Sequence, residues 1–530
     1  MTFGAPFLAA LVVCMFSCLG PFSMVDAFGD ASVFLNIGEG MHNGKVPYRD
    51  LFDHKGPLLY FIHYIGLFFG GRLGVWFMEL ALMFVTFFFS YRTALLVAGR
   101  QPALWGIAAM AATTIGFYQW GDFPEEYGMA FISIAFFLFA GHLLKNEPLT
   151  RWKSLAIGAC FGAVLLLKPT LFPVWIVFGA TIVTLGFIRG KYRDLVFYVV
   201  FFFLGTAAVI TPFLLYLLLE GAFPDFWEQY VVFNQTYARQ GGAIPMKTYL
   251  KNFSLFLNRN YIWVMLLAGV GMLVLRFNTR QRPFYIAYVL TGAISLCSIS
   301  FSPFSFPRYG LVTVPLLVLA WTLLASAALD ALGGGPFARR VIPLIAFVGI
   351  FNLQIGQFLR WRLIFYPYGA NQNYEMHIPL DVVREACAVI RTHAPARSDK
   401  ITVFGRAASL YYYSGRESVS KYFYQFPIGM NDVNIAKKYE EDVIKGKPKL
   451  IVVDKIYESD EILFRKFQLR RDPALGVQQR FLFGRMLPLT DTYFVENGVR
   501  QPIPDPENLR KQYRLVWEKP GYVQIYKRNN

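Results

Sequence analysis

Asp30-Ala-Ser-Val-Phe34, running on to Val46-Pro-Tyr-Arg-Asp-Leu-Phe-Asp53-His54-Lys55-Gly56-Pro57-Leu58, is a charged stretch set between two strongly apolar ones. The loop that contains it extends from Asp26 to Gly56. That is long for a plain connection between membrane helices, and it carries ionisable groups that a connector does not need. The stretch is therefore read as part of a site at a membrane surface.

The rest of the chain supplies the membrane. Of its 530 residues 55% are hydrophobic and 18% aromatic, 53 of them Phe; only 16% are charged and the mean hydropathy is +0.40. This is the composition of an integral membrane protein. The net charge of +17 does not point to nucleic acid, because Lys and Arg fall in short clusters between apolar runs instead of along one basic face. Of the five cysteines, Cys14, Cys18, Cys160 and Cys297 lie in apolar stretches and only Cys387 in the polar C-terminal part. Neither a disulfide framework nor a cysteine metal site follows from them.

Apolar segments of bilayer-spanning length recur about eleven times. They run near 5–25, 72–98, 103–120, 125–144, 154–168, 170–188, 194–219, 260–275, 284–301, 310–331 and 341–360. The piece 57–70 is too short to span; opening with Gly56-Pro57 and closing at Gly70-Gly71, it reads as re-entrant or interfacial.

With a cytoplasmic N-terminus, five basic loops fall inside: Arg92 with Arg100; Lys145, Arg151 and Lys153; Arg189, Lys191 and Arg193; Arg276, Arg280 and Arg282; Arg339 and Arg340. The same parity puts the 26–56 loop, the Gly121–Tyr127 turn, the 220–258 loop, the 302–309 turn and everything after about 361 outside. The first segment is a signal anchor in this scheme, since it lacks the basic start of a cleaved signal. The sequons at Asn234 and Asn252 face outward but decide nothing.

A linker at Pro367, Gly369 and Asn371 marks a change of texture. The expected division is 1–360 as the membrane domain and 361–530 as an extracytoplasmic α/β domain. Its signals are helices over 380–393 and 432–445 and strands over 400–404 and 450–454. No internal repeat of the kind found in duplicated transporters is visible.

Asp30 opening an amphipathic segment, Gly44 with Pro47 after it, and Asp53-His-Lys-Gly-Pro-Leu58 resemble the first outer loop of GT-C glycosyltransferases that use polyprenyl-phosphate donors. That group includes the protein O-mannosyltransferases and the lipid A aminoarabinose transferase. Similar stretches follow at Gly121-Asp-Phe-Pro-Glu-Glu-Tyr127, Leu167-Lys-Pro-Thr170, Pro307-Arg-Tyr309, and from Val403-Phe-Gly-Arg406 to Tyr411–Arg416. Relatives often read Asp-Glu at the start of the loop and Lys-Pro-Pro-Leu at its end, where this chain has Asp30-Ala31 and Lys55-Gly56-Pro57-Leu58.

Moving a sugar off a lipid phosphate needs a base for the acceptor hydroxyl and cations for the departing phosphate. By resemblance Asp30 is the base; its plainer role would be a helix N-cap. Lys55 with His54, Lys168 and Arg308 are candidates for the phosphate, the plainer role for Lys55 and Arg308 being to snorkel. Lys168, set in Leu165-Leu-Leu-Lys-Pro-Thr, requires a partner in so apolar a setting. Glu125 or Glu126 is expected as the second acid of the catalytic site, although carboxylates after Pro124 also suit a helix N-terminus. Asp53, Tyr309 and Tyr48 are supporting or acceptor-site candidates.

An Asp beside a His without a third and fourth ligand is a weak metal site, so no obligatory cofactor is expected, with a divalent ion the lesser alternative. Ala31–Met41 and Phe226–Tyr237 are expected as outer-face amphipathic helices, the second covering a lipid chain or packing as core. The expectation is a polytopic α-helical GT-C enzyme of the bacterial inner membrane. It would pass a single sugar from a polyprenyl-phosphate donor to an envelope glycan, lipid or protein on the outer face, and the single displacement that the resemblance implies would invert the anomeric carbon. A transporter or flippase of a lipid-linked sugar is the alternative.

Overall fold

The computed structural model describes residues 3–23, 29–118, 120–235, 246–259, 262–275, 280–301, 306–331, 378–405, 407–424, 433–454, 493–496, 499–502 and 512–529. The expected span at 341–360, the linker at 366–371 and the end of the 226–237 helix lie outside them. The chain divides into two compact units. One comprises Met1–Phe22 with His54–Ala370, the other Ser23–Asp53 with Asn371–Asn530. The first outer loop, grouped with the membrane part by its place in the sequence, thus folds with the C-terminal residues.

The first unit is helical. It contains α1 (Gly4–Cys14), α3 (Pro57–Val97), α4 (Arg100–Tyr118), α5 (Pro124–Lys145), α6 (Arg151–Leu165), α7 (Pro173–Ile188) and α8 (Tyr192–Leu219). After the short α9 (Phe223–Phe226) come α10 (Met246–Arg259), α11 (Ile262–Leu275), α12 (Arg282–Ser300) and α13 (Val314–Ala331). Among the described residues five helices are long and apolar enough to cross a membrane, or six if the bent pair α10–α11 makes one span. Of the eleven expected spans, those at α1 and α7 are shorter than a span and α6 has only 15 residues, while 341–360 lies outside the described residues.

α3 folds back on itself where the sequence shows Gly70-Gly71. Gly71 has φ 58°, a left-handed conformation that glycine adopts without strain. Past it the chain returns so closely that a Cβ on Gly74 would lie 1.9 Å from Gly66 O. Residues 57–69 therefore form a separate arm ahead of the second half of α3. Close approach by small residues also joins α6 to α8: a Cβ on Gly158 would lie 1.9 Å from Phe202 O, and Thr206 Oγ1 donates to Gly158 O at 3.0 Å.

The second unit is α/β. Its main sheet has the order β2-β1-β3-β7-β6, where β1 is Lys400–Phe404, β2 Glu417–Ser418, β3 Leu450–Asp454, β6 Tyr513–Lys519 and β7 Val523–Arg528. β1 lies parallel to β2 and β3, while β7 is antiparallel to β3 and β6. β4 (Tyr493–Glu496) and β5 (Val499–Pro502) pair separately. β3 is buried at all five positions, as expected for an inner strand covered on both faces. The unit's helices are α14 (Leu380–His393), α15 (Ser409–Ser414), α16 (Val433–Gly446) and, from the first outer loop, α2 (Asp30–His42).

α2 packs against α15. Ala31, Ser32, Val33, Phe34, Leu35, Ile37, Gly38 and Gly40 are all buried, so its apolar residues are covered within the unit and not left bare for a lipid surface. The loop after α2 turns at Tyr48, which has φ 70° and is fully buried. Tyr48 N–H donates to Leu51 O at 2.8 Å, and Val46 N–H to Asp50 Oδ2 at 2.8 Å. Tyr48 therefore serves as the packed corner of this loop.

Candidate functional site

In the helical unit, the turn before α5 is shaped by left-handed Gly121 (φ 73°) and Asp122 (φ 60°), and Pro124 then starts the helix. Two consecutive carboxylates leave this turn in different directions. Glu125 faces cations: its Oε1 accepts from Lys168 Nζ at 2.5 Å, and Arg308 also bears on it electrostatically. The Lys168 ammonium lies over the Tyr309 ring at 4.5 Å, and the Arg308 guanidinium over Phe123 at 4.5 Å and Phe306 at 4.4 Å. Lys168 thus has the partner its apolar setting demands, and Glu125, Lys168, Arg308 and Tyr309 form one cluster.

Glu126 faces the other way, into a buried network. Its Oε2 and Glu79 Oε1 converge on the Asp122 N–H at 2.7 and 3.3 Å, and Tyr118 donates to Glu79 Oε1. Tyr127 donates to Asp122 Oδ1 at 2.6 Å, and His63 Nε2 meets Asp122 Oδ2 at 3.0 Å while its Nδ1 meets Leu59 O at 2.8 Å. Both His63 nitrogens thus lie within hydrogen-bond distance of an oxygen, which ties the 57–69 arm to the turn before α5. The sequence singled out neither Glu79 nor His63. Both are ionisable residues inside apolar segments, which was the available signal.

Lys168 sits just past α6, in extended backbone before Pro169. The residues at the start of α3 lie against the same corner: Gly56 N–H donates to Leu167 O at 3.1 Å and Leu58 N–H to Leu166 O at 3.1 Å. A Cβ on Gly56 would lie 2.0 Å from Leu166 O. This explains why Gly stands where relatives carry Pro, which has no N–H to donate and would collide. Lys55 Nζ is 2.7 Å from His54 Nε2, and Lys55 N–H meets Tyr60 Oη at 3.2 Å. His54 packs beside Phe233, and Asn234 Nδ2 donates to His54 O at 2.7 Å and Tyr230 O at 2.8 Å. The described part of the 226–237 segment is split: Tyr230 and Phe233 are buried, Trp227 exposed.

In the α/β unit, Gly29 occupies the N-cap of α2, so Asp30 stands one residue inside the helix and is not its cap. Asp53, 1% exposed, accepts from the Tyr424 hydroxyl at 2.5 Å. Burial pushes the Tyr424 phenol well above its ordinary value, and the carboxylates of Asp53 and Asp30 push it further. It is a neutral donor to Asp53. Beside it Phe52 N–H donates to Lys421 O at 2.9 Å and the Phe52 ring packs on Tyr422. Tyr424 was missed in the sequence, where nothing links it to Asp53 across 371 positions.

Among the described residues no three His, Cys, Asp or Glu side chains are gathered so as to hold a metal ion.

No family model and no curated protein matches the chain. Solved structures do. An oligosaccharyltransferase of Archaeoglobus fulgidus, solved with Zn and sulfate, superposes with a TM-score of 0.55 at 13% identity, covering 94% of this chain and 73% of that one. The chain has the GT-C fold. The oligosaccharyltransferase AglB of the same organism, solved with an inhibitory peptide and a dolichol-phosphate, gives a TM-score of 0.50 at 12% identity over 88% of this chain and 71% of that one.

Proposed function

We propose that the protein is a membrane glycosyltransferase that takes a sugar from a polyprenyl-phosphate donor. One observation carries this reading: in a GT-C fold, the Lys168 ammonium is bonded to the Glu125 carboxylate while a second cation from a separate element, Arg308, lies close by over Phe123. A cation pair able to hold a carboxylate can exchange onto a phosphate, whose oxygens offer the same acceptor geometry with more charge. Glu125 keeps the pair aligned between turnovers. Lys55, paired with His54, serves as a further phosphate cation, and Asp30 acts as general base on the acceptor hydroxyl, so that a single displacement inverts the anomeric carbon. The acceptor is an envelope glycan, lipid or protein, the unit transferred one sugar, and the site lies on the outer face of a bacterial inner membrane.

The test is mass spectrometry of lipid-linked sugars and envelope glycans in cells with the protein, without it, and with Asp30→Asn. Both defective strains should accumulate one lipid-linked sugar and lose one residue from a glycan. The mass of the accumulated lipid separates a single sugar from an oligosaccharide, the substrate class named by the structurally similar enzymes' activity. A flippase would show accumulation in the null strain but not with Asp30→Asn.

A further inference from the structure

Asp53 is an ionisable side chain at 1% exposure, and such a group is kept only where a donor replaces the water it has lost. The Tyr424 hydroxyl, 2.5 Å away, is that donor. Tyr424 is itself 5% exposed and feels Asp30 as well as Asp53, so one buried phenol stands within electrostatic reach of these two acids of the first outer loop. Its backbone neighbourhood is tied to the loop too, through Phe52 N–H to Lys421 O and Phe52 on Tyr422. At the far end of α2, Lys45 pairs with Glu417 at 2.9 Å. The loop and helix that carry Asp30 are thus built into the α/β unit at both ends.

We propose that Tyr424 is a positioning residue for the transfer reaction: it holds the Asp53 carboxylate, and through it the loop that presents Asp30, in the working arrangement. This rests on the proposed transferase reading and assigns a task to the C-terminal part of the chain. That part frames the base instead of acting as a detached module. Tyr424 touches neither sugar nor phosphate. Its hydroxyl fixes where Asp53 sits, and a small displacement of a catalytic loop is enough to lower turnover on the order of a hundredfold.

The experiment uses full-length protein in detergent or membranes, with the lipid-linked sugar extracted from the null strain as probe and release of the sugar as readout. Tyr424→Phe removes one oxygen atom. It should lower kcat per folded molecule tenfold or more, leave KM for the lipid-linked sugar within about twofold, and lower the melting temperature only as far as the loss of one hydrogen bond to a buried carboxylate requires. Asp53→Ala should give the same loss, and the double variant no more than either single one, because both remove the same contact. A purely structural tyrosine would lower the melting temperature while kcat per folded molecule stayed at the wild-type value, and that result overturns the proposal. If Tyr424→Phe does not accumulate, Asp53→Ala, which keeps the phenol and removes its acceptor, decides alone: unchanged kcat overturns the proposal. A wild-type protein that leaves the extracted lipid intact overturns the transferase reading itself, a separate failure.

Discussion

At the first outer loop the Asp53 carboxylate takes its hydrogen bond from a neutral phenol, Tyr424; at the start of α5 the Glu125 carboxylate takes its bond from an ammonium, Lys168. The difference bears on what each can release. A carboxylate held by a phenol keeps its charge and its place. One held by cations is a counter-ion that another anion can replace. The first arrangement suits a frame for a base and the second a place for a phosphate.

The comparison breaks most visibly at Asp30. Asp30→Asn is expected to abolish sugar transfer, a loss of about 10²–10⁴-fold for a general base, with insertion and melting temperature unchanged. Lipid-linked sugar analysis reads the first, and differential scanning in detergent the second. Retained activity would leave Asp30 without a catalytic task.

Lys168→Ala sharpens the other half. With Glu125 only 4% exposed at its side chain, loss of the ammonium strands a buried charge, a cost of about 3–5 kcal/mol that Arg308 offsets in part. Adding Glu125→Gln should restore stability without restoring transfer. Recovery of both would make the pair purely structural.

Next in size is Gly56→Ala, which puts a methyl against the Leu166 carbonyl. A cost of roughly 1–3 kcal/mol and a shift of Lys55 follow, read as a lower melting temperature and a higher KM for the lipid-linked sugar. Gly56→Pro, the residue of relatives, should be worse because the bond to Leu167 O goes as well.

The smallest effect is expected at Glu79→Gln. Glu79 and Glu126 converge on one N–H, while Glu79 Oε2 and Glu126 Oε1 meet no donor among the described residues. Two carboxyls in this arrangement hold together with one proton between them. A Gln amide supplies the same donor, so stability should move by less than about 1 kcal/mol. The infrared band of a protonated carboxyl, present in the wild type, should disappear; no band in the wild type would contradict the shared proton.

Much of the fold was legible because its signals are local. Apolar runs require helices in a bilayer, Gly70-Gly71 marked the break in α3, and the alternation after residue 378 gave β1, α16 and β3 near their observed places. For the site, the ammonium of Lys168 in an apolar run predicted a partner from its setting alone. The choice between Glu125 and Glu126 was not legible: neighbours on a helix point about 100° apart, and only packing says which faces Lys168 and which Glu79.

The sequence by itself determined that the chain enters a membrane, where its charged turns fall, and which of its acids and cations are too costly to be incidental. Those follow from composition and period, which act over a few residues. Only the tertiary structure decided that residues 23–53 fold with the C-terminal unit, that Tyr424 holds Asp53, and that Glu125 meets Lys168. Each joins positions 43 to 371 residues apart, and such contacts are set by how buried surfaces and buried charges find partners across the whole fold, which no local pattern encodes.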